Sequence, residues 1–232
     1  MKIFISYSLE DKKDSDILRG LLERVGFECF LAHRDIRKGD PWREAIVKEL
    51  KASDVFIPIL SDHGLASSWV HQECGMAHLL RTNKKQLLII PLTINNNTPP
   101  GCLSIYQAMK VNLKFFGFGG PDLSHEVAKS LALEIAKQTS CTESIKATAI
   151  RNLGHAGAGD IEYILGFLVD SKGLRSDDFQ ALVVQANANH YIAHSDIAID
   201  LFFWYVDKYG KISTSDLRRK TGYGTQENPA YF

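Results

Sequence analysis

Asp54-Val55-Phe56-Ile57-Pro58-Ile59-Leu60, followed across a short connection by Ser67-Ser68-Trp69-Val70-His71-Gln72-Glu73, decides the fold. The first segment is an almost unbroken apolar run rich in β-branched and aromatic residues, as in a strand buried on both faces. The second opens on serines suited to a helix N-cap and predicts a helix running to Arg81. Reading outward repeats the alternation. Residues 2–7 form a strand, and residues 12–25 an amphipathic helix with Ile17, Leu18, Leu21, Leu22 and Val25 inward and Gly26 closing it. Phe27–Leu31 is a second strand. Asp40 and Pro41 start a helix to Lys51, Leu87–Leu92 is a fourth strand, and Val111 lies in a fifth. Ser124 caps a helix reaching Gln138. Strands alternating with helices imply a parallel sheet covered on both faces, with its ligand crevice outside the carboxyl ends of the strands. Ser6–Glu10, Ala32–Trp42 and Ser61–Ser68 all converge on that edge.

Beyond Thr139-Ser140-Cys141-Thr142, which reads as a linker, helical periodicity dominates. Helices are expected at 144–153, 160–170, 176–189, 195–208 and 214–220. Ile161, Ile164, Leu165 and Leu168 make one apolar stripe; Ile197, Leu201, Trp204 and Tyr205 make another. The expected organisation is an α/β domain over 1–140 and a small all-α domain over 141–232.

The chain has 232 residues, 45% of them hydrophobic, enough for one large domain or two small ones. Its 27 basic side chains balance 27 acidic ones. Residues 1–140 carry 18 basic and 16 acidic side chains and residues 141–232 carry 9 and 11, so no overall basic field invites nucleic acid or anionic lipid. Cys29, Cys74, Cys102 and Cys141 form no Cys-x-x-Cys pair and read as reduced, which with the absence of a signal-peptide core suggests a cytoplasmic protein. The apolar run Ile197–Val206 is too short to span a bilayer.

Three segments carry a family resemblance: Phe4-Ile5-Ser6-Tyr7-Ser8, Arg34-Asp35-Ile36-Arg37-Lys38-Gly39-Asp40-Pro41-Trp42, and the Trp69–Glu73 helix. In this order and spacing they resemble the opening strand, the BB loop and the tryptophan–glutamate helix of a Toll/interleukin-1 receptor (TIR) domain of the bacterial NAD-cleaving type. The resemblance implies a flavodoxin-like parallel five-stranded sheet flanked by helices. It also implies cleavage of the nicotinamide–ribose bond of NAD, with NAD as substrate and no cofactor. Glu73 would be the catalytic residue. Trp69 would wall the nicotinamide side, and Phe4, Ser6, Tyr7, Ser8, Asp35 and Trp42 would line the pocket or contact nucleotide. The Arg34–Trp42 loop would stack one TIR domain on another, making activity depend on a homo-oligomer, in a setting of bacterial immune signalling such as antiviral defence. No TIR family feature covers the helical C-terminal part.

The chemistry suits a single carboxylate. Attached nicotinamide is already cationic and departs neutral, so no general acid is needed. Positive charge develops on the ribose, and a fixed carboxylate beside it stabilises the transition state. Water as nucleophile yields ADP-ribose; attack from within the same molecule yields a cyclic ADP-ribose. Two blander readings compete: Trp69 as a core indole beside a solvated Glu73, and a non-catalytic TIR adaptor acting through TIR–TIR contacts. His71, Cys74 and His78 fall at i, i+3 and i+7, but they read as partly buried side chains, and no metal is expected. The glycine-rich stretches 117–120 and 154–159 read as connections, and Ser213–Lys220 as a solvated helix end.

Overall fold

In the computed structural model the described residues are 1–32, 42–83, 86–95, 97–111, 124–171 and 176–194. The predicted loop around Asp35, the Asp40–Pro41 helix start, Gly117–Gly120, the 195–208 and 214–220 helices and Ser213–Lys220 lie outside them. The chain divides into two compact units, one of Met1–Glu23 and Phe27–Ile135, the other of Arg24–Gly26 and Ala136–Phe232.

The first unit is the α/β one. Strands β1 (Lys2–Ser6), β2 (Glu28–Leu31) and β3 (Val55–Leu60) are followed by the short segments β4 (Leu88–Ile89), β5 (Leu92–Ile94) and β6 (Met109–Val111). All pairings are parallel, in the order β2-β1-β3-β5-β6 with β4 also on β3. This is the flavodoxin-like order, and its direction reverses between β1 and β3.

The fourth strand expected at Leu87–Leu92 is present but broken. Phe56 pairs with Ile89 and Ile59 with Leu92, so β4 and β5 keep one register across the gap at Ile90-Pro91. The break has a local cause: Pro58 in β3 has no N–H to give at the level of Ile90, and Pro91 has none of its own.

Helix α1 (Lys12–Arg24) buries Leu18, Leu21 and Leu22, and Gly26 after it adopts φ 108°. Helices α2 (Trp42–Ala52) and α4 (Ser68–Thr82) share a core with the sheet: Phe4, Phe30 and Phe56 from the strands, Ile46 and Leu50 from α2, and Val70, Cys74 and Ala77 from α4. Burying such side chains contributes roughly 1.5–3 kcal/mol each. Phe4 stands between Phe30 and Phe56, its ring centroid 5.2 and 5.8 Å from theirs.

Here a short helix was not expected. Within the Ser61–Ser68 connection lies α3 (Asp62–Ala66), its N-cap Ser61 accepting from Gly64 N–H at 2.9 Å. Ser67 then caps α4 by accepting from Val70 N–H.

Helix α5 (Ser124–Thr139) contains the division between the units, which falls at Ile135/Ala136. The expected linker is a two-residue turn, with Ser140 at φ 55°, into α6 (Thr142–Leu153). In the second unit α7 (Ala158–Asp170) buries the stripe Ile161, Ile164, Leu165 and Leu168, and α8 (Ser176–Ala188) and α9 (His190–His194) follow. Asn189 caps α9 by accepting from Tyr191 and Ile192 N–H, while its amide donates to the carbonyls of Leu153 and Ala156. Among the described residues no helix is long and apolar enough to cross a membrane.

Candidate active site

Side chains alternate along a strand, so Ser6 shares the face of Phe4, the face covered by α2 and α4. On α4 the sheet-facing stripe is Val70, Glu73, Cys74 and Ala77. Three of these are small or apolar; the fourth is a carboxylic acid. Glu73 is 0% exposed, and Ser6 Oγ–H donates to its Oε2 at 2.5 Å. Its Oε1 is buried without a hydrogen-bond partner among the described residues. Burial pushes the carboxyl up from 4.5 to about 7, and the Ser6 hydrogen bond, which favours the charged form, pulls the other way. Burial likewise raises the neighbouring Cys74 thiol, so that cysteine stays protonated.

The position matters as much as the burial. Ser6 ends β1 and is in register with Pro58 of β3, so the Ser6–Glu73 pair lies at the carboxyl end where the strand order reverses. The neighbouring loops are tied together there. Asp11 Oδ2 accepts from Ser8 Oγ (2.7 Å) and Ser61 Oγ (2.6 Å), and Asn97 Nδ2 donates to Leu60 O and Asp62 Oδ1.

The other expected site residues fall in different places. Trp69 is half-buried, one turn ahead of Glu73. Tyr7 is buried just beyond β1. Phe4 is fully enclosed in the aromatic core below Ser6. Ser8 is buried with its hydroxyl proton directed at Asp11. Trp42 is the first residue of α2, while its side chain and the whole of Asp35 lie outside the described residues. His71 Nε2 pairs with Leu65 O and His78 Nδ1 with Tyr106 Oη, so the two rings serve separate contacts. Among the described residues no group of three His, Cys, Asp or Glu side chains is placed to hold a metal.

Asp11 was not singled out in the sequence, where it stands between the first strand and the helix expected from residue 12. The one local sign is Ser8 three residues ahead, a spacing at which serine and aspartate side chains tie a turn together.

A parallel sheet of flavodoxin-like strand order thus carries, at its switch point, a buried acid with one oxygen unpartnered among the described residues. Residues 3–119 match the TIR domain family, and the chain belongs to it. Two solved structures are similar to the chain at low identity. The TIR domains of the activated Roq1 resistosome directly recognizing the pathogen effector XopQ are 18% identical, with TM-score 0.37, over 41% of this chain and 58% of that one. BcmB, a CMP N-glycosidase of Clostridium botulinum, is 17% identical, with TM-score 0.40, over 57% of this chain and 99% of that one. The chain thus spans less than two thirds of the Roq1 chain. No curated protein matches it.

Proposed function

We propose that the chain is a NAD glycohydrolase or ADP-ribosyl cyclase in which Glu73 stabilises the ribose cation as nicotinamide leaves. The observation that carries this reading is the buried carboxyl with one oxygen held by Ser6 and the other without a partner among the described residues. A buried polar atom without a hydrogen bond costs about 1–3 kcal/mol, more when charged, and such a cost is tolerated at sites that need it. A carboxyl at about 7 is half ionised at neutral pH. The cationic nicotinamide ring of bound NAD favours the anionic form, so the substrate itself draws the group into its active state.

Ser6 fixes one oxygen and leaves Oε1 for the ribose. Trp69, half-buried on the preceding turn, is suited to wall the leaving group. Nothing in this arrangement selects between water and an internal nucleophile, so hydrolysis and cyclisation both remain products of the same carboxylate. We further propose that self-association through the Arg34–Trp42 loop completes the pocket, as the TIR resemblance implies, in bacterial immune signalling. A non-catalytic adaptor has no use for a half-satisfied carboxyl in its core, which favours the enzymatic reading.

The test is to incubate concentrated purified protein with NAD and separate the products by chromatography. Release of nicotinamide with ADP-ribose or a cyclic ADP-ribose is expected. Intact NAD at concentrations where the protein is demonstrably assembled would overturn the reading.

A further inference from the structure

The carboxyl edge holds a second buried acid that the proposed chemistry does not use. Asp11 ends the single 3-10 turn Leu9–Asp11 after β1 and is 8% exposed. Its Oδ2 accepts hydrogen bonds from two hydroxyls of different loops. Ser8, 3% exposed, leads out of β1; Ser61, 9% exposed, leads out of β3 and caps α3. The Asp11 main-chain oxygen also accepts from Ser15 Oγ at 2.8 Å, anchoring the turn to α1. These loops flank the switch point. Ser8 stands two residues beyond Ser6, the partner of Glu73, and Ser61 begins the connection through α3 to α4, the helix that carries Glu73.

We propose that Asp11 is a positioning residue of the Glu73 site, its Oδ2 clasping the exits of β1 and β3 so that Ser6 and Glu73 are held in register at the carboxyl edge of the sheet. The clasp is chemically suited to this. A hydroxyl bond to a carboxylate is short and about twice as strong as a neutral one, and the two contacts measure 2.7 and 2.6 Å. Both donors are serines with short side chains, so little slack separates the carboxylate from the two backbones. Ser61 Oγ meanwhile accepts from Gly64 N–H, so movement of Asp11 is passed to α3. Ser8 and Ser61 therefore act here as struts rather than as ligands for nucleotide.

This inference rests on the reading of Glu73 as the reacting carboxylate, and its test has one arm that needs no turnover. Asp11→Ala leaves two buried hydroxyls without their acceptor. Asp11→Asn keeps an oxygen able to accept both protons. With nicotinamide release normalised to folded protein, Asp11→Ala is expected to lower kcat by about tenfold to a hundredfold, the cost of a small misplacement, with KM for NAD little changed. Loosening the Ser6–Glu73 bond is expected to move the Glu73 titration midpoint upward, read by carbon-13 NMR of the carboxyl without substrate. Asp11→Asn is expected to restore both quantities. A lowered melting temperature in Asp11→Ala with unchanged kcat per folded molecule and an unchanged Glu73 midpoint would overturn the proposal, leaving Asp11 as a fold-stabilising residue only. Should Asp11→Ala fail to fold, Ser61→Ala removes one strut and is judged by the same two readouts. If the wild type leaves NAD intact, the proposed chemistry fails, yet the NMR midpoint still decides whether Asp11 positions Glu73.

Discussion

At the scale of single residues, the account turns on an acid placed where packing alone would have chosen leucine. Val70, Cys74 and Ala77 satisfy the core; Glu73 in the same stripe does not. The sign of its effect on stability follows from linkage. Its folded-state midpoint, about 7, is raised above the ordinary 4.5, so between those values the folded state binds more protons than the unfolded state. Stability is therefore full below about 4.5, falls as pH rises through the window to about 7, and stays low above it. The raised midpoint corresponds to about 3 kcal/mol at most. Glu73→Gln removes this dependence, so the variant is expected to melt higher than wild type at pH 8 and to lose that advantage toward pH 4. Calorimetry of the two proteins across this range checks it; parallel curves would mean that the carboxyl is not raised in solution. Ser6→Ala withdraws the bond that favours the charged form. The Glu73 midpoint is then expected to rise beyond about 7, carrying the alkaline rise in the rate of nicotinamide release with it.

At the scale of elements, Gly64 shows how closely α3 is pressed onto β3. A Cβ at this position would lie within van der Waals overlap of the Ile59 carbonyl oxygen, a backbone atom that cannot swing away. Gly64→Ala is expected to destabilise by about 1–3 kcal/mol, the usual cost of overpacking, measured as a lowered urea midpoint with unchanged slope. The strands and long helices were legible in the sequence because their apolar runs are local: Val55–Leu60 and the Ile161–Leu168 stripe speak for themselves. Helix α3 was not, because five residues cannot display a helical period and its cap looks like any loop serine. The interruption of the fourth strand was equally hidden, since it depends on Pro58 lying opposite Ile90-Pro91 only after pairing. Glu73 was identifiable through its family context, not through periodicity. Asp11 escaped because its decisive partner, Ser61, is 50 residues away.

At the scale of the whole molecule, the expected dependence on self-association gives a direct kinetic signature. If the Arg34–Trp42 loop joins copies, nicotinamide release per molecule is expected to climb with protein concentration and level off as sedimentation shows assembly complete. Trp42→Ala is expected to shift that climb to higher concentration. A rate strictly proportional to protein across the same range would remove self-association from the account. The helical unit needs a separate test, because the division between units falls inside α5. A chain ended before α5 is complete would cut a helix rather than a linker, so comparisons of the two units belong with α5 kept whole through Thr139.

The central claim is that Glu73 performs the cleavage, and the most direct measurement is the rate of nicotinamide release from saturating NAD at pH 8 by wild-type and Glu73→Gln proteins matched for folded fraction and assembly. The account predicts turnover by wild type and a loss of at least a hundredfold in the variant, the scale of removing a principal electrostatic stabiliser. Equal rates in the two proteins would contradict it.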